Sequence, residues 1–135
     1  MKYYIFIFLV LIVSCNPRHE STASGADCDK FKRGSFFYRA EGNPMLFKIE
    51  RSDTIQTEFM GNNREYTNYS IQWTGPCSYE LSFLNEHLVK MAPTPETYKR
   101  KKVKVTILSV QNDTCFVTAD NGISSWPGIF YINKK

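Results

Sequence analysis

From Gly34 onward, apolar and polar residues alternate with a period of two, the pattern of strands that bury one face and wet the other. Phe36 and Tyr38 share a side, with Gly34 just ahead as a turn or bulge. Met45, Phe47 and Ile49 alternate with Leu46, Lys48 and Glu50. After a hairpin turn at Arg51-Ser52-Asp53-Thr54, Ile55, Thr57 and Phe59 alternate with Gln56 and Glu58. Beyond Gly61-Asn62-Asn63, Tyr69, Ile71 and Trp73 alternate with Ser70, Gln72 and Thr74, and Gly75-Pro76 turns the chain into Tyr79, Leu81 and Phe83. Val103, Val105 and Ile107 alternate with Lys102, Lys104 and Thr106, the clearest strand of all. Gln111-Asn112-Asp113 turns it into a strand over Thr114 to Ala119, Asp120-Asn121-Gly122 is the next turn, and Ile129 to Ile132 forms the last strand. Asn85 to Thr97 carries Pro93 and Pro95 without a period and reads as the longest loop, with room for a short helix over Leu84 to Met91. These about seven to eight short strands predict an all-β fold, an antiparallel meander that closes as a small lipocalin-like barrel or folds as a sandwich.

The N-terminus follows another rule. Lys2 precedes an uninterrupted apolar run from Tyr3 to Val13, the length of a signal-peptide core, whereas a spanning helix needs ~20 such residues. Ile12-Val13-Ser14-Cys15 then resembles a bacterial lipobox, in which the cysteine thiol takes a diacylglycerol thioether and the chain is cut just before it. The reading is a lipoprotein signal peptide over 1–14, a lipidated flexible tether over 15–26, and a single β-domain over 27–135. Two or more acyl chains hold a protein durably on a membrane, so the expected place is the bacterial cell envelope, lipid-anchored and facing the periplasm or exterior.

Composition adds two points. A net charge of +4 is mild and does not call for nucleic acid, which an exported domain would not meet. Of the four cysteines, lipidation of Cys15 leaves Cys28, Cys77 and Cys115 in an oxidising compartment, enough for one disulfide. Cys28 and Cys77 sit beside turn residues, and Cys115 lies in the apolar run Cys115-Phe116-Val117 as a buried thiol, which favours Cys28–Cys77 over three reduced cysteines.

Cys28-x-x-Phe31-Lys32-x-Gly34-x-Phe36, followed by Arg51, Gln56-x-Glu58, Ile71-x-Trp73 and Cys77-x-Tyr79, resembles a family of small bacterial lipoproteins of unassigned function. Members often carry the inherited label "DNA topoisomerase IV". Strand passage needs moving gates, an ATP site and a DNA-cleaving tyrosine, and a domain of this size outside the cytosol has no room for them. The resemblance implies no catalytic residues, and it places cysteines where Cys28 and Cys77 stand. Gly34-x-Phe36 is also similar to the Gly-x-Trp opening of lipocalins.

Candidate chemistry is sparse. His19 and His87 have no metal-ligand spacing, so neither a metal nor another cofactor is expected. Asp27 and Asp29 flank Cys28, and Glu50 and Glu58 occupy opposite arms of one hairpin on faces expected to be wet. Lys99, Arg100, Lys101, Lys102 and Lys104 form the sharpest charge feature, either a contact for anionic lipid headgroups or an acidic partner, or a strand edge kept soluble. Asp53-Thr54-Ile55 fits a short O-glycosylation pattern. The expected function is a non-enzymatic, membrane-anchored binding or structural module. Its alternatives are an interaction subunit on a membrane protein assembly and a carrier of a small hydrophobic ligand.

Overall fold

Eight strands follow one another around a closed antiparallel barrel in the computed structural model, which describes residues 23–61 and 63–133. The strands are β1 (Gly34–Ala40), β2 (Phe47–Arg51), β3 (Ile55–Met60), β4 (Glu65–Gly75), β5 (Ser78–His87), β6 (Val103–Gln111), β7 (Thr114–Asp120) and β8 (Ser125–Ile132). Each pairs with its neighbours in sequence, and β1 closes on β8 with Phe36 opposite Ile132 and Tyr38 opposite Phe130. The sandwich alternative is thereby set aside. The signal segment 1–14, Cys15 and His19 lie outside the described residues.

Period-two alternation puts Phe36, Ile49, Ile71, Tyr79, Leu81, Val105, Ile107, Cys115, Val117 and Phe130 inside. They form one core with Phe31 and with Cys28 of α1 (Gly25–Asp29), whose packing closes one end of the barrel as a floor, while Tyr79, Leu81, Val105, Val117 and Phe130 reach up to the space above it. Ser24 caps α1 by accepting from the Asp27 amide, and Ala23 donates its amide to the Leu108 carbonyl on β6. Residues 23–26, read from sequence as tether, are thus held on the barrel wall. Cys28 and Cys77 form a disulfide with Cα atoms 5.4 Å apart, tying α1 to the β4–β5 turn, while Cys115 is a free buried thiol. Among the described residues no helix is long and apolar enough to cross a membrane.

Three elements differ from expectation. Leu84 to Met91, where room was left for a short helix, holds the end of β5 up to His87 and then irregular chain, and the short helix α2 (Glu96–Lys99) starts inside the expected loop after Pro95, whose fixed φ suits a helix start. β8 begins at Ser125, earlier than Ile129, because Trp126-Pro127-Gly128 continues the ladder despite its breaker residues. Arg51, assigned to the hairpin turn, is the last residue of β2 and points inward, 6% exposed.

Candidate ligand site in the barrel interior

Arg51 joins the floor to the space above it. Its guanidinium lies 4.6 Å from the Tyr79 ring centroid, 5.2 Å from Phe130 and 5.5 Å from Phe36. Nε donates to Gln56 Oε1 at 2.9 Å, Nη2 donates to the same oxygen and to the Tyr79 hydroxyl at 2.8 Å, and Nη1 donates to the Phe31 carbonyl. The cation therefore plugs the floor and pins the segment after α1. Burial, offset in part by Arg51, pushes the Tyr79 hydroxyl up to about 12.

Above the floor is a cavity of about 130 Å³ lined by Tyr38, Gln56, Glu58, Tyr69, Leu81, Val103, Val105, Ala119, Trp126 and Phe130, among others. An eight-stranded barrel is just wide enough to be filled by side chains or to hold one small ligand, and this one does the first below and leaves space above. Tyr38, one of the lining residues, lies across Gly128, where a Cβ would come within 2.5 Å of its ring, and its hydroxyl accepts from Trp126 Nε1 at 3.0 Å.

Glu58 corrects the sequence reading most. Expected on a wet face, it lies on the inner face of β3, opposite the buried Ile49 on β2 and Thr67 on β4. Gln56 Nε2 donates to Glu58 Oε1 at 2.8 Å while Gln56 Oε1 accepts from Arg51, so one amide separates the two charges and bonds to each. No other hydrogen bond to the carboxylate forms among the described residues. None of their buried side-chain nitrogens or oxygens lacks a partner, so the second carboxylate oxygen is not sealed from solvent, and Glu58 is half-buried and lines the cavity. Burial pushes Glu58 above the ordinary carboxylate range, against the opposing pull of the Gln56 hydrogen bond and the Arg51 charge. Burial likewise raises Tyr38 and Tyr69, with the Glu58 charge adding to both.

The mouth is partly strapped. β5 pairs with β6 only from Ser78 to Leu81, so the upper part of β5 parts from its neighbour, and residues 88–102 fill the gap. Glu65 Oε1 gathers the amides of Val89, Lys90 and Met91 at 2.6–2.9 Å, which holds that carboxyl below its ordinary value. Glu86 accepts from the Thr94 hydroxyl at 2.7 Å and pairs with Lys99 at 3.0 Å. The hydrogen bond to Glu86, and then that to Glu96, raise Lys99.

The other residues singled out from sequence do not converge. Glu50 points outward to Lys48, Asp29 pairs with Lys32, and Asp27 bonds Ser24 and lies 3.8 Å from Lys30. His87 stacks on Tyr66, and Thr54 is exposed in the β2–β3 turn. Of the basic run, Lys99 is held by Glu86 and Glu96, and Lys102 by Glu80 at 2.9 Å. Two of its five positions are thus already neutralised, and Arg100, Lys101 and Lys104 are exposed. A larger groove of about 670 Å³ lies on the outer wall between residues 39–44 and Leu108, Phe116, Pro127 and Ile129, but no buried charged side chain faces it.

Fold and site together define a small up-and-down β-barrel, closed at its floor and hollow under its mouth, with one carboxylate in the hollow. No family model, curated protein or solved structure matches the chain.

Proposed function

We propose that this is a non-enzymatic binding module that holds a small ligand inside the barrel and is displayed on the bacterial envelope by lipid on Cys15. The observation that carries the binding half is the interior cavity of about 130 Å³, whose lining includes Gln56 and Tyr79, the two side chains that Arg51 holds. A cavity of ~150 Å³ accommodates a benzene ring, so the site suits a single ring or a short chain whose remainder lies in the mouth. The lipobox-like Ile12-Val13-Ser14-Cys15 supports the display half, and the Cys28–Cys77 disulfide agrees with an oxidising compartment.

Native mass spectrometry of the protein gently extracted with its anchor tests the first half. A retained small molecule, lost in Ala119→Phe, which fills the cavity, is the expected result. Equal retention in the filled variant, or no retention and no binding of any small aromatic probe, would remove the reading. For the second half, Cys15→Ser is expected to shift the protein from the membrane to the soluble fraction or to leave the precursor uncut.

A further inference from the structure

We infer that the interior site selects a small organic cation, an amine or guanidine on a single ring or short apolar body, whose charged end meets Glu58. This rests on the cavity being a ligand site and goes further by naming the ligand's chemistry.

Two charged side chains face inward at this level, and they are not equivalent. Arg51 has four of its five N–H donors engaged by Gln56, Tyr79 and Phe31, with aromatic rings packed around it. It has little left for an anion. Glu58 lines the cavity with one oxygen bonded to Gln56 and the other neither bonded nor fully buried, so the available polar group is an acceptor.

The walls point the same way. Tyr38, Tyr69, Trp126 and Phe130 line the cavity, and aromatic rings attract cations most where water is excluded. A purely apolar guest would displace water from Glu58 and give its free oxygen nothing, a cost that falls on the complex alone. An anion would meet the same carboxylate at close range in a poorly screened site. A cation with an N–H donor answers both. The other titratable or charged groups near Glu58 leave it unpaired: Arg51 stands behind the Gln56 amide, Tyr38, Tyr69 and Tyr79 are phenols held neutral by burial, and Glu86 at the rim is taken by Lys99.

Calorimetric titration of the full-length protein with benzylammonium, benzyl alcohol and benzoate separates the possibilities. Benzylammonium is expected to bind about tenfold or more tightly than the alcohol, and benzoate least. Glu58→Gln, an isosteric change, is expected to erase that preference while the alcohol still binds. Because a variant can fail for other reasons, wild-type protein supplies a second reading. Benzylammonium affinity should fall from about pH 8 to about pH 4 as Glu58 takes up a proton, and benzyl alcohol affinity should not. Equal binding of alcohol and cation, or a cation affinity indifferent to pH and to Glu58→Gln, would overturn the inference and leave the cavity reading standing. Failure of all three probes to bind the wild type would overturn both.

Discussion

Arg51 and Glu58, two inward charges of this barrel, sit on adjacent strands and share one amide, yet they occupy opposite physical situations. Arg51 is surrounded: its donors are spent, its faces are covered by rings, and it fixes the segment that carries α1 against the floor. Glu58, reached through Gln56, has one partner and open space on its other side. A buried charge with every bond made adds rigidity, whereas one left half-satisfied beside a cavity costs stability that a ligand can return. The floor is thus where the fold is held, and the wall above it is where chemistry remains free.

If that division is right, damage should be graded from floor to wall. Arg51→Met leaves the Phe31 carbonyl, Gln56 Oε1 and the Tyr79 hydroxyl without their donor inside the floor. A loss of about 3–5 kcal/mol is expected, read as a lower urea midpoint. Removing the disulfide by replacing both Cys28 and Cys77 with alanine releases a loop spanning a sequence separation of 49 and is expected to cost about 2–4 kcal/mol by the same measurement. Tyr79→Phe removes one acceptor of Arg51 and keeps the ring. About 1–2 kcal/mol should go, with no change in the oligomeric or redox state of the protein. A midpoint unchanged in Arg51→Met would erase the contrast altogether.

The strands themselves were legible because apolar alternation was intact. Phe36 with Tyr38, Tyr69 with Ile71 and Trp73, and Val103 with Val105 and Ile107 all take the inner face that their period assigns. The Cys28–Cys77 pair was legible from the turns beside it. β3 was misread because its inner face is the polar one: Gln56 is 1% exposed while Ile55 is 42% exposed. Hydrophobicity alone assigns such a strand backwards, and a one-residue slip moves every side chain to the other face. A register argument recovers it. With Ile49 inside, Arg51 must also be inside, and a hairpin that sets Arg51 opposite Gln56 carries Gln56 and Glu58 in with it. The cavity had no such signal, since its lining is gathered from β1 and from β3 through β8, residues far apart in the chain. Nor did α2, which begins only after both prolines of the stretch read as the longest loop.

The smallest effect is the most telling about the wall. Burial raises Glu58 in the folded state above its value in the unfolded chain, so the folded protein binds its proton more tightly. The stability this contributes is fully present below the unfolded carboxyl range and is lost as pH rises through the raised folded value. Glu58→Gln cannot titrate, and its amide fills the same space. The variant is therefore expected to melt near the wild type in acid and a few degrees above it at neutral pH, read as the difference between two melting curves taken at each pH. Adding a saturating organic cation should close that neutral-pH gap in the wild type alone, because the ligand's charge replaces the water that the carboxylate lost. A Glu58→Gln variant less stable than wild type at neutral pH without ligand would mean that the carboxylate is as fully satisfied as Arg51, and the distinction between floor and wall would fail.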